Sequence, residues 1–397
     1  MIILKPGSHA LRLVMLLLYT GEFPYYSLDL LGDRRTMMHA VNRMGKAHDV
    51  MDQDGQFLYH GRLISVSGKD MLKTIRLNAY FLAKLKSFRP DEYRYYMEAF
   101  DKHHFRGYTS SIERNHRMAE ALFMLLQSGL CTLPERQPEL QMKAIKELPF
   151  HKPAFYHSRI LKVIGNNDLQ KNQFTRIIGA VLYSTGCYVV YNTREAMMKW
   201  CGRGESKTLQ TISEITSMNS ATKNPSSALL YGKDYSVALR TVKELHLNAR
   251  KSSLFAADYT KIHFLPMNQF GVKVFQLMVL PDWQNELLEL MFDESQIRRE
   301  VGVFQYDAKI DDHYVLSFLD CDLVKLYRFY DFARKSKYQW MVVCFEEQAD
   351  FIRGYMGADV KLRVSGEALW YDGNGIPCEG RTAQMQASGG CQFAPDR

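Results

Sequence analysis

Along the first ninety residues the apolar positions mark out helices and then strands. "SHALRLVMLLLYTGEF" repeats its apolar side chains at helical spacing, with Ser8 placed to cap the start and Gly21 near the stop. Pro24 opens "PYYSLDLLG", a second helical segment that Gly32 ends. Asp33 is placed to cap a third helix in "GDRRTMMHAVNRMGKAH". On a helical wheel this segment has two faces. Arg35, His39, Asn42 and Lys46 fall on one, and Met37, Met38, Val41 and Met44 on the other. Asp54-Gly55 signals a turn, and "RLISVS" and "LKTIRLN" are rich in strand formers joined through "SGKD" as a hairpin. Three helices followed by a hairpin is the order of a winged helix-turn-helix. "AYFLAKLKSF" predicts a helix that closes this domain, residues 1–90, at Pro90.

Residues 91–150 read as a helical connector. "RNHRMAEALFMLLQSG" has apolar spacing near 3.6 and a glycine stop, and "CTLPERQPELQ" has the two prolines of a surface connection. Residues 151–371 read as an α/β domain. "QFTRIIGAVLYST", "EAMMKW", "SKTLQTISEITSMN" and "DYSVALRTVKEL" predict helices, and "CYVVYN" and "SALLYG" predict strands. "KIHFLPM" and "VKVFQLMVL" predict a hairpin, followed by a helix "DWQNELLELMF" capped by Asp282. The last third alternates strand "HYVLSFL", helix "DLVKLYRFYDFARK", strand "QWMVVCF", helix "EEQADFIRGYMG" and strand "DVKLRV". Such alternation implies a mostly parallel sheet with covering helices. The fold class is therefore α/β, or α+β over the whole chain. The Gly-, Pro-, Ser- and Gln-rich tail, residues 372–397, is predicted disordered.

Composition supports packed cores, with 46% apolar and 24% charged residues among 397. Charge sharpens the picture. The net charge is +8, and residues 1–90 hold thirteen lysines and arginines against seven acidic residues, an excess of six. A basic excess gathered on a winged helix points to a polyanion. The seven cysteines are an odd number, scattered from Cys131 to Cys391 with no C-x-x-C pair. That argues against a disulfide framework or a structural zinc site and for reduced thiols in the cytoplasm. The apolar run at residues 10–19 is about half of the ~20 residues a membrane span needs, so it reads as a core helix with no membrane partner.

Double-stranded DNA is the partner that suits the third helix. Arg34, Arg35, His39, Asn42, Arg43 and Lys46 supply groups that meet phosphates and base edges. Lys69 and Lys73 on the wing, with Arg62 and Arg76 on its strands, suit backbone contacts. The competing reading is a protein-interaction module with a solvated basic face, and the charge asymmetry favours DNA.

Two acidic features compete as catalytic candidates. In "GESK", Glu205 and Lys207 match the tail of a nuclease signature that holds Mg²⁺, the one cofactor considered. That signature needs its Glu-x-Lys on a strand, whereas Glu205 falls at the start of a predicted helix and "CYVVYN" ends in Asn192. In "FLDCD", Asp320 and Asp322 follow a predicted strand, where α/β ligand sites lie, although Asp322 equally suits a helix cap. There is no Walker loop, no G-x-G-x-x-G after a strand and no G-x-S-x-G. His103, His104 and His116 lack metal-ligand spacing.

The stretches "LLLYTGEFPYYSLDLLGD", "RLISVSGKDMLKTIRLN", "ERNHRMAEALFML" and "VVYNTREAMMKWCGRGESKT" resemble a family of proteins encoded on conjugative and integrative elements of Gram-positive bacteria. The likeness runs from about residue 10 to about residue 370. More distantly, the plan is similar to the replication-relaxation family: a winged helix, a helix with a histidine near its start (here His116), then an α/β domain of nuclease-like fold. The resemblance implies a DNA-binding role in plasmid replication, relaxation or transfer, carried by Arg35, His39, Asn42 and Lys46, with other mobile-element proteins as partners. It implies no catalytic residues. The expected function is a DNA-binding accessory protein of a mobile genetic element. The alternatives are a metal-dependent nuclease using Glu205, Lys207 and a late aspartate, and a transcriptional regulator with an α/β sensor domain.

Overall fold

The computed structural model describes residues 1–130, 137–140, 153–158, 160–161, 177–183, 186–198, 203–219, 227–247, 259–280, 282–298 and 305–365. They fall into two compact units, one within Met1–Gln137 and one within Pro138–Gly389. Both units mix helices with strands.

The first unit runs β1 (Ile2–Leu4), α1 (His9–Thr20), β2 (Glu22–Pro24), a 3₁₀ segment (Tyr25–Leu31), α2 (Arg34–Met44), β3 (His48–Asp52), β4 (Phe57–Gly61), β5 (Ile64–Ser67), β6 (Thr74–Leu77), α3 (Ala79–Phe88), α4 (Pro90–Ala99) and α5 (Thr109–Gln127). The Ser8 hydroxyl accepts from Leu11 N at 3.2 Å and starts α1. Gly21 ends it at φ 76°, where a Cβ would lie 2.5 Å from the Phe100 ring. Asp33 Oδ1 accepts from Thr36 N at 2.8 Å and starts α2. Met37, Val41 and Met44 are buried beneath α2, and Met38 is half-buried.

Two three-stranded sheets form. In the order β2-β6-β5 all pairings are antiparallel, and the β5–β6 hairpin is the one expected from "RLISVS" and "LKTIRLN". The second sheet, β1-β3-β4, has no counterpart in the sequence reading. Its β3–β4 hairpin turns at Asp54-Gly55 and lies between α2 and β5 in the chain, with β1 parallel to β3. Asp52 Oδ1 holds the turn by accepting from Asp54 N and Gln56 N. Helices α4 and α5, read as connector, pack against α1 and β2 inside the first unit. Most of "CTLPERQPELQ" lies outside the described residues.

The second unit carries β7 (Ala154–His157), β8 (Gly179–Tyr183), β9 (Gly186–Arg194), α6 (Arg203–Asn219), β10 (Ser227–Gly232), α7 (Tyr235–Leu247), β11 (Lys261–Pro266), α8 (Gln269–Met278), α9 (Trp283–Met291), β12 (Ala308–Ile310), β13 (His313–Ser317), α10 (Leu323–Ala333), β14 (Gln339–Phe345), α11 (Glu346–Met356) and β15 (Lys361–Ser365). In place of one mostly parallel sheet there are two mixed ones. The order β11-β10-β9-β8-β7 has β9, β10 and β11 parallel and β7 and β8 antiparallel. The order β12-β13-β14-β15 has β13, β14 and β15 parallel, with β12 antiparallel at its edge.

Three local expectations change. Within "QFTRIIGAVLYST" the described residues form strand β8, with Ala180, Val181 and Leu182 fully buried between β7 and β9. A short, wholly buried apolar run gives no periodicity by which to tell strand from helix. "VKVFQLMVL" is largely helical as α8, because Asn268 caps it through Gly271 N at 3.1 Å and Phe270, Val274 and Met278 are buried at four-residue spacing. The supposed turn residues were a helix start. In "EAMMKW" the described residues Glu195–Met198 form no helix, since β9 runs to Arg194 and turns there at φ 57°. The tail expected to be disordered lies outside the described residues, among which no helix is long and apolar enough to cross a membrane.

Candidate functional site

Helix α2 presents most of the predicted basic face to solvent, but it ends at Met44 with Gly45 as its cap, so Lys46, expected on the same helix face, lies in the turn beyond it. Arg34, Arg35, His39, Asn42, Arg43 and Lys46 are all exposed, and Asp33, Arg34, Arg35, Met38, His39 and Asn42 line a common depression. Two of the arginines are tied to backbone. Arg34 donates to the Tyr26 carbonyl at 3.1 Å, and Arg43 donates to the Met1 carbonyl at 2.5 Å. Arg35, His39, Asn42 and Lys46 make no hydrogen bond or ion pair among the described residues, so their polar groups are available to a partner.

The predicted wing residues divide. Arg62 and Lys69 are exposed, Lys69 at the tip between β5 and β6. Lys73 is half-buried with its ammonium 3.7 Å from the centre of the Tyr25 ring. Arg76 is committed to an internal carboxylate. Register sets it opposite Glu22, which is fully buried, and its Nε and a terminal nitrogen bond one Glu22 oxygen at 2.7 and 2.6 Å. Burying a carboxylate without such a partner is costly, so this arginine is structural.

Behind the hairpin, α5 contributes a row of buried polar groups. Asn115 donates to the other Glu22 oxygen at 2.7 Å. Glu120 accepts from Tyr26 Oη at 2.9 Å and Ser27 Oγ at 2.6 Å. His116 Nε2 lies 2.8 Å from Thr74 Oγ1, whose only proton goes to the Leu72 carbonyl. The imidazole is therefore the donor there, and its buried Nδ1 has no partner among the described residues. Burial pushes the His116 pKa down to about 4, with Arg76 adding to the shift, so the ring is neutral at pH 7.

A second polar cluster sits in the second unit, where Asp320-Cys321-Asp322 follows β13 and opens α10. Cys321 adopts φ 57°, an uncommon conformation for a residue with a Cβ. The segment is bonded to strand β11. Asp322 Oδ1 accepts from Ile262 N at 3.0 Å, the Cys321 carbonyl accepts from Phe264 N at 3.0 Å, and His263 Nδ1 donates to the Asp320 carbonyl at 2.7 Å. Asp322 Oδ1 also caps α10 through Val324 N at 2.9 Å. From α10, Lys325 Nζ reaches Asp320 Oδ2 at 2.7 Å and Asp307 Oδ2 at 3.2 Å.

These groups share a cavity of about 250 Å³ that Trp283, Leu287 and Leu288 of α9 also line. Burial pushes the carboxyls of Asp307 and Asp322 up; it opposes ionisation of Asp320 too, but Lys325, His263 and the hydrogen bond from Asp322 N together hold that carboxyl down. Burial lowers the His263 pKa, so the ring is neutral at pH 7. The two carboxyls raise Lys325 above its usual value against the opposing effect of burial. The sequence reading found Asp320 and Asp322 and missed Asp307, Lys325 and His263. One signal was present: Lys325 stands among Leu323, Val324 and Leu326, three residues after a capping aspartate.

Glu205 and Lys207 lie in the first turns of α6 and not on a strand, so the strand-borne Glu-x-Lys of the nuclease signature is not formed. Asn192 on β9 accepts from Arg194 N at 2.9 Å and serves the turn that follows. Among the described residues no group of three His, Cys, Asp or Glu side chains is arranged to hold a metal ion. No family model, curated protein or solved structure matches the chain.

Proposed function

We propose that the first unit is a winged helix that docks on duplex DNA, with α2 in the major groove and the β5–β6 tip along the phosphate backbone. The observation that carries the reading is the α2 face. Arg35, His39 and Asn42 are exposed and uncommitted on one side, with Lys46 exposed in the turn just past the helix, while Met37, Val41 and Met44 are buried on the other. A helix so built offers phosphate and base-edge contacts without breaking any internal bond. The return of β2 to pair with the second strand of the β5–β6 hairpin supports the winged-helix reading, as does the basic excess of residues 1–90. The resemblance of the sequence to conjugative-element proteins supports a role as a cytoplasmic DNA-binding accessory protein of a mobile element, in plasmid replication, relaxation or transfer.

The test is the salt dependence of binding to duplex DNA. Each phosphate contact contributes about −0.9 to the slope of log K against log salt. The double variant Arg35→Glu, Lys46→Glu is expected to bind all sequences more weakly, with a slope shallower by about 2. An unchanged slope would show that α2 is not the docking face.

A further inference from the structure

The cluster around Asp320 has no part in the DNA reading and stands independently of it. We propose that its cavity binds a small organic cation, an amine or guanidine carried on an apolar or aromatic body. The cavity, about 250 Å³, is large enough for a small ligand, and its lining combines the carboxyls of Asp307, Asp320 and Asp322 with the apolar side chains of Trp283, Leu287 and Leu288.

Charge decides the sign of the ligand. When all three carboxyls are ionised they meet two ammoniums, those of Lys325 and Lys261, which leaves one negative charge for a cation to match. Lys325 is spent on Asp320 and Asp307, and Lys261 Nζ donates to Gln284 Oε1 at 2.5 Å. His263 is held neutral by burial and adds no charge.

Two carboxylate oxygens have nothing to accept. Asp322 is 2% exposed, and both of its hydrogen bonds use Oδ1, so Oδ2 is uncommitted among the described residues. Asp307 spends Oδ2 on Lys325 and on Ser317 N, leaving Oδ1. Both aspartates line the cavity, where these oxygens are open to a ligand, and an ammonium or guanidinium supplies the donors and the charge together. Burial already disfavours the charged form of both carboxyls, and a cation in the cavity would reverse that. The Trp283 face is suited to a cation or a ring lying across it. A divalent metal fits less well, because the Lys325 ammonium already lies between Asp307 and Asp320, where a bridging ion would sit.

The experiment is calorimetric titration of the full chain with agmatine and with putrescine, beside magnesium chloride and sodium chloride at matched ionic strength. Saturable one-to-one binding of an amine is expected. It should weaken about tenfold or more in Asp307→Asn, which removes the charge at a carboxyl 17% exposed, and in Leu288→Trp, which fills the cavity. The second variant keeps the test decisive if the first is poorly folded. No saturable amine binding up to ~1 mM would overturn the proposal. So would an affinity unchanged from the native chain in both variants, or displacement of the amine by magnesium.

Discussion

At the scale of single residues, His116 shows how burial fixes a protonation state. Its Nδ1 faces no acceptor, and its Nε2 donates to Thr74. Protonation would put a charge and an unmatched N–H into the core. The folded pKa lies near 4 against the usual 6.5. The unfolded ring therefore takes up a proton first as pH falls. The neutral ring's contribution to stability is complete above pH 6.5 and is lost between about 6.5 and 4. At about 1.4 kcal/mol per pH unit the loss approaches 3 kcal/mol. Urea unfolding at pH 7 and pH 4.5 should show it in the native chain and a clearly smaller loss in His116→Gln. Equal losses in the two proteins would mean that other groups set the acid limit. Nothing about His116 in the sequence announced this. It was legible as a histidine in an amphipathic helix, but its partner Thr74 lies forty-two positions away.

At the scale of the element, α2 was read almost whole from the sequence, because the information is local. Asp33 supplies the cap, the methionines and Val41 supply the buried stripe, and the polar face follows by elimination. Arg76 was misjudged for the opposite reason. Its neighbours in sequence describe a strand of a basic hairpin, while its partner Glu22 arrives through the pairing of β2 with β6. Within α2, Asn42 is the residue suited to reading a base. Its amide can accept from N6 and donate to N7 of adenine, a pair worth ~1–3 kcal/mol of discrimination. Asn42 is exposed in the last turn of α2, about one turn after His39, with Lys46 in the turn that follows the helix. Asn42→Ala is expected to leave nonspecific affinity nearly intact and to weaken the preference for one A·T pair. Affinity selection from a random-sequence library, run for both proteins, checks it; identical selected motifs would make Asn42 an ordinary surface residue.

At the scale of the whole molecule, the first unit extends well past Pro90. Gly21 lies against Phe100, and Glu22, Thr74 and Ser27 are bonded by Asn115, His116 and Glu120 of α5. A chain ending at residue 89 leaves Glu22 with Arg76 alone and strips the buried Thr74 of its partner. That fragment is expected not to fold cooperatively, whereas residues 1–137 should unfold in a single urea transition. Circular dichroism of the two fragments decides, and a cooperative transition in the shorter one would return the boundary to residue 90. The apolar spacing of α5 marked a helix but not the environment of its polar residues. Only the sheet it covers reveals that Asn115, His116 and Glu120 face inward.

The sequence by itself determined the features whose physics is local. These include the capped helices of the first unit, the turn at Asp54-Gly55, the β5–β6 hairpin, the two faces of α2 and the strand–helix alternation from β13 to β15. Each rests on a cap, a turn residue or a periodicity read within a few positions. The tertiary structure alone decided the rest. It set β8 as a strand and α8 as a helix, because short apolar runs take the form their neighbours allow. It assigned Arg76 to Glu22 through strand register. It also brought Trp283, Asp307 and the run that carries Asp320, Asp322 and Lys325 to one cavity from three separate segments. Side chains far apart in the chain acquire a common chemistry only when packing closes the distance between them, and no local pattern encodes that distance.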